Sequence, residues 1–229
     1  MAKRTITEIN EQKQWHGRHT SFLAGELLSF QSVLKSKKNR EPEETLILEE
    51  IRWSLVPIVS IFESFYKEIF VRYIDSGEPF ISRASDLQIK ERKVEIDKLI
   101  ELSKKQFTIG ELISYSLSYS SFKDIRKNYE TLCDEDYMDH IQNAELKLIQ
   151  QDATEFNRAK EAGVNLFQSV NSIFSLRHML IHEFPATKVI VKYDEAMKYF
   201  DHSWLLLMAT DRLSCADTHT TNPFHFGQP

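Results

Sequence analysis

An all-α chain folding as one helical bundle is what the sequence predicts, on three observations. Helix breakers are scarce: Gly and Pro number six each in 229 residues, and most of the prolines stand singly between long stretches without either. Apolar residues recur every three or four positions along several segments, the period of a helix with one buried face. No repeat of fixed period and no low-complexity stretch marks a boundary between two domains. The expected organisation is a single helical domain over residues 1–216 and a flexible C-terminal tail, 217–229, with little to order it.

Between Ile6 and Leu34 the residues Ile9, Trp15, Phe22, Leu23, Leu27, Phe30 and Leu34 fall at loosely helical spacing, interrupted by Gly17 and Gly25. One or two helices are expected, followed by a charged, solvated connector from Lys35 to Glu44. The clearest helix comes next: Ile47, Ile51, Leu55, Ile58, Phe62, Phe65, Ile69 and Tyr73 form one stripe. Pro57 lies inside it, and its missing N–H and ring clash predict a bend near Ser54. Asp75-Ser76-Gly77-Glu78-Pro79 has turn chemistry, and Ser85 or Asp86 can cap a third helix to about Lys105. Thr108 with Glu111 three residues on is a capping box opening a helix through Leu112 and Leu117. The Ser/Tyr-rich stretch Ser114–Ser121 breaks that pattern, and Ile125, Tyr129 and Leu132 mark a short helix ending at Asp134-Glu135-Asp136. Residues from Tyr137 to Gln151 read as helical or partly irregular. A long helix is expected from about Thr154 to Ile181, then a connector rich in β-formers from Thr187 to Val191, then a last helix from Tyr193 to Leu213.

Composition excludes several functions. With 34 acidic and 29 basic residues the formal charge is −5, so nucleic-acid contact has to come from a local basic site rather than overall attraction. Cys133 and Cys215 are far apart and in no ligand-like spacing, which suits free thiols in a reducing compartment. No apolar signal core follows Met1-Ala2-Lys3-Arg4, and apolar runs such as Leu55–Phe62 and Trp204–Ala209 fall well short of the roughly 20 residues of a membrane span. A soluble, cytoplasmic protein is expected.

The segment Phe174-Ser175-Leu176-Arg177-His178-Met179-Leu180-Ile181-His182-Glu183-Phe184-Pro185 sets three ionisable groups into the apolar end of a long helix. An Arg followed by a polar residue, with a His five positions after the Arg at a helix end, resembles the ribonuclease motif of the HEPN superfamily. The resemblance is carried by Arg177, His178 and His182, and more loosely by the order of elements around them. It implies a HEPN-like helical bundle, a homodimer, and metal-independent cleavage of RNA in a toxin or phage-defence setting, without a cofactor. Arg177 and His182 would be catalytic and His178 would bind RNA or support the site.

The chemistry can be followed from the residue types. Attack by the 2′-hydroxyl of RNA on its own phosphate needs a base, an acid for the leaving 5′-oxygen, and positive charge for the transition state. Histidine exchanges protons near neutrality, and the fixed charge and planar fork of arginine match phosphate oxygens. Five residues of ideal helix turn through about 500°, which leaves Arg177 and His182 about 140° apart around the axis. Either the last turn distorts, or two copies of the motif complete a site across a dimer, as the resemblance implies. Other readings stay open: Arg177 as an ion-pair partner of Glu183, His178 and His182 as half of a zinc site, or a non-catalytic module that binds RNA, a nucleotide or a partner protein. Glu63 reads as a partner of Lys67 four residues on. HEPN toxins controlled by a nucleotidyltransferase antitoxin commonly carry Tyr two residues after the motif His. Phe184 stands there in this chain, so control would fall to a different antitoxin or regulatory protein, or to none.

Overall fold

The computed structural model describes residues 20–37, 50–51, 53–87, 107–133, 136–143, 165–182 and 191–218. Their regular structure is all-α, with no strand among the described residues. In chain order the helices are α1 (Thr20–Lys37), α2 (Val56–Asp75), α3 (Phe80–Arg83), α4 (Ile109–Ser116), α5 (Phe122–Leu132), α6 (Tyr137–Asn143), α7 (Leu166–His182) and α8 (Tyr193–Asp217), with a 3₁₀ turn at Ala84–Asp86 after α3.

Helix α2 is the centre of the core. Its whole expected stripe from Ile58 to Tyr73 is buried, and Val59, Ile61, Tyr66, Phe70 and Ile74 are buried as well, so the helix is covered on more than one side. Helical bonding breaks at Leu55, one residue beyond the predicted bend, and resumes with Pro57 in the first turn of α2, where a missing N–H costs nothing. Against α2 lies a spine of aromatic rings. Tyr66 and Tyr129 meet edge to face at 5.3 Å, and Tyr129 stacks on Tyr137 at 5.6 Å. Every hydroxyl in this spine has a partner, as burial demands: Tyr129 donates to the Tyr66 carbonyl at 2.6 Å, Tyr66 bonds Thr210 at 3.1 Å, and Tyr73 reaches both Tyr137 and Asp217. Burial pushes the Tyr66, Tyr73, Tyr129 and Tyr137 phenols up, so they stay neutral.

These pairings fix the topology. Tyr66 with Thr210, Arg72 with Ser214 and Tyr73 with Asp217 ascend together, so α2 and α8 run parallel. Ser169 with His202 descends against Ser172 with Tyr199, so α7 and α8 form an antiparallel pair. Phe62 meets Phe174 edge to face at 6.3 Å, which brings α7 against the N-terminal half of α2.

The capping box at Thr108 forms as expected, with Glu111 N–H donating to Thr108 Oγ1 and Thr108 N–H donating to Glu111 Oε2. It starts α4 one residue before Gly110, whose N–H donates to Asp75 Oδ1 at 3.0 Å. A Cβ at Gly110 would stand 2.8 Å from both Asp75 Oδ1 and the Val71 carbonyl. Alanine here gains about 1 kcal/mol of helix propensity, but overpacking against backbone costs about 1–3 kcal/mol. Gly110→Ala is therefore expected to lower the melting temperature by a few degrees in a thermal scan; an unchanged or higher value would show that α4 is free to move off α2.

Several sequence readings need correction. The turn Asp75–Pro79 forms, with Gly77 at φ 102°, but a short helix, α3, follows it that the pattern did not announce. Ser85 and Asp86 lie in the 3₁₀ turn, which ends at an extended Leu87; the helix predicted beyond them lies outside the described residues. Lys35 and Lys37 belong to α1 rather than to a connector. The last helix continues past Leu213, and Asp217, assigned from sequence to a flexible tail, is the final residue of α8 and accepts the Tyr73 hydroxyl at 2.7 Å. Residues 219–229, the expected first helix before Thr20, the start of the long helix at 154–164 and the connector 187–190 lie outside the described residues.

Candidate functional site

Helix α7 carries the motif and stays α-helical through His182, one residue beyond the predicted end. Its core row is Leu166, Val170, Ile173 and Leu180, all buried. The steps are four, three and seven, and the position that divides the seven is Arg177. A heptad-like row of this kind points at the packed neighbours, so Arg177 occupies an inward position of α7 and is half-buried there. It makes no ion pair among the described residues; Glu183, the partner suggested from sequence, lies outside them.

His178 and His182 are exposed on another face, with ring centroids 4.8 Å apart and planes tilted by 47°. Their spacing of four puts them on one face, as the sequence implied. A regular last turn removes helix distortion as a way of joining the motif. Arg177 and His182 stay about 140° apart around a single axis. Among the described residues no three His, Cys, Asp or Glu side chains gather as a metal-ligand set.

Beside the histidines lies a cleft of about 630 Å³. Its lining joins the apolar Phe167, Leu176 and Met179 to the polar Gln168, Asn171, Ser172 and Ser175 of α7 and to Tyr199 of α8. Asn165, which accepts the Gln168 N–H at 3.0 Å as the helix cap, closes one end with Arg126 and Asp139. Arg126 is held by Glu130 at 2.5 Å and by Asp139 at 3.6 Å. None of Arg177, His178 and His182 lines this cleft. Periodicity reasoning passed over its residues because polar positions on the outer face of a helix look like ordinary solvated surface.

No family model, curated protein or solved structure matches the chain. The arrangement of its own side chains therefore carries the functional argument.

A second polar cluster, also missed from sequence, joins α2 to α8. Arg72 donates to Asp211 Oδ1 at 3.1 Å and to Ser214 Oγ at 2.8 Å, with Cys215 Sγ at 3.2 Å. Asp211 is fully buried and its Oδ2 has no hydrogen-bond partner among the described residues; burial raises its pKa against the pull of Arg72 and Arg212. Glu68, one turn before Arg72, is pushed up to about 8 by burial, with Arg72 opposing and Asp211 adding to the rise. The i, i+4 spacing of Glu68 and Arg72 was the available signal. A carboxyl with a raised folded-state pKa binds its proton more tightly folded than unfolded, so its contribution to stability is lost as pH rises from about 4.5 to about 8. Glu68→Gln should match the wild-type melting temperature near the acid end of that window and exceed it by at least ~2–4 °C above it; parallel curves for the two proteins would contradict this. His202 of α8, bonded through Nδ1 to Ser169 at 2.6 Å, is another buried titrating group, and burial followed by the nearby Lys198 lowers its pKa.

Proposed function

We propose that the chain is a metal-independent endoribonuclease of HEPN type that cleaves RNA at a site shared by two copies. The observation that carries this reading is the placement of the motif on α7: a regular helix holds an arginine on its inner row and two histidines on an outer face. One helix does not aim both at one phosphate, and on this reading two α7 helices related by a two-fold axis bring the half-buried Arg177 of each copy to the exposed His182 of the other. Ile181, one turn after Arg177 and 45% exposed, offers apolar surface for that contact.

On this reading His182 moves the proton of the attacking or leaving oxygen, Arg177 neutralises charge growing on the phosphate, and His178 steadies the His182 ring or touches RNA. The setting is a cytoplasmic toxin or phage-defence protein, held in check by an antitoxin or regulatory protein that covers the shared site. No helix among the described residues is long and apolar enough to cross a membrane.

The test is incubation of purified protein with total RNA in the presence of chelator, with chemical mapping of the ends. Cleavage leaving 2′,3′-cyclic phosphates is the expected result; intact RNA, or cleavage that stops on chelation, overturns it. The separate polar cleft favours a second reading, a non-catalytic module that holds RNA, a nucleotide or a partner protein. That reading expects a complex and no cleavage.

A further inference from the structure

We infer that the cleft along α7 is a base-binding subsite for single-stranded RNA that leads the strand to His182; this rests on the ribonuclease reading for its substrate. The row Gln168, Ser175 and His182 has a spacing of seven, so the cleft wall and the catalytic histidine share one side of the helix. Ser175 stands about 10 Å along the axis from His182 and Gln168 about 21 Å, a reach of a few nucleotides.

The chemistry of the cleft suits a base and not a phosphate. The one cation among its described lining residues, Arg126, is engaged by two carboxylates, Glu130 and Asp139, which offset its pull on an anion. The side chains of Gln168, Asn171 and Ser175 make no hydrogen bond among the described residues. A carboxamide presents a donor and an acceptor side by side, which is the pattern along a base edge. Phe167, Leu176 and Met179 add apolar surface to the same lining, against which the face of an unstacked base can lie. Duplex RNA keeps its bases stacked and paired and does not enter, so the subsite selects unpaired segments.

The test uses a fluorescein-labelled, single-stranded 2′-O-methyl oligonucleotide of mixed sequence, which cannot be cut because its 2′-oxygen is blocked. Binding to wild type and to Gln168→Ala/Asn171→Ala is read by anisotropy. Both positions are exposed, and circular dichroism checks that the variant is folded. The variant should bind at least about tenfold more weakly, the scale of one lost bidentate contact, and on cleavable RNA its KM should rise with kcat kept. Equal affinity for the two proteins, or no binding by wild type, overturns the inference. The two proposals fail separately: cleft-dependent binding without cleavage sinks the ribonuclease reading alone, and cleavage indifferent to the cleft sinks the subsite alone.

Discussion

Arg177→Ala and His182→Ala are each expected to abolish RNA cleavage, with losses of about 10²–10⁴-fold, the range of a lost general acid–base or charge-stabilising group. An equimolar mixture of the two inactive proteins should then recover about a quarter of wild-type activity. Random pairing makes half of the dimers mixed, and in a mixed dimer one of two symmetry-related sites has both an intact Arg177 and an intact His182. Recovery tests the geometry of α7 directly, because it requires the two groups to come from different chains. Two outcomes contradict the proposal: either single variant retaining full activity, or two dead variants staying dead when mixed under conditions that exchange subunits. His182 is exposed and Arg177 half-buried on the inner row, so circular dichroism of each variant separates lost chemistry from lost fold.

Arg72→Met is expected to be strongly destabilising. The arginine satisfies Asp211, Ser214 and Cys215 at once, and Asp211 is already one hydrogen bond short. Removing the cation leaves a fully buried carboxyl without its hydrogen-bonded partner, Arg212 acting on it only through space, which costs about 3–5 kcal/mol. For a chain of this size that is a fall of roughly 10 °C in melting temperature. The loss should be smaller at low pH, because Asp211 without Arg72 binds a proton more readily and becomes neutral. Asp211→Asn in the Arg72→Met background should restore part of the stability, since it removes the stranded charge. Thermal scans of the three proteins at acid and at slightly alkaline pH decide the matter: an Arg72→Met protein as stable as wild type at both would mean that the buried pair is of no net value.

Much of the fold was legible because its signals are local. The stripe from Ile58 to Tyr73 and the Thr108–Glu111 box each depend on residues within a few turns of one another, and both formed as read. Pro57 was legible in position: the helical bonding breaks beside it, although as the opening turn of α2 rather than a bend in a continuous helix. Interactions between distant segments were not legible. Arg72 and Asp211 are separated by 139 positions, and no pattern around either names the other. For the motif, sequence supplied the residues and the angular separation, while their surroundings came from the fold. Arg177 completes a row otherwise made of Leu166, Val170, Ile173 and Leu180, and only packing reveals that this row is the inner one. The cleft was invisible for the opposite reason, since Asn171 and Ser175 gain meaning from Tyr199 and Arg126, which belong to other helices.

The parallel pairing of α2 with α8 has a consequence for the birth of the protein. Tyr66 waits for Thr210, and Tyr73 for Asp217, across 144 residues in each case. While the chain is being made, the apolar sides of α2 therefore lack their final cover until residues near 217 have left the ribosome. Closing so long a loop slows assembly, and it leaves a nascent chain exposed to association through its aromatic side chains. The last helix thus works as a latch on synthesis: the bundle that presents α7 is completed only when translation has passed α8.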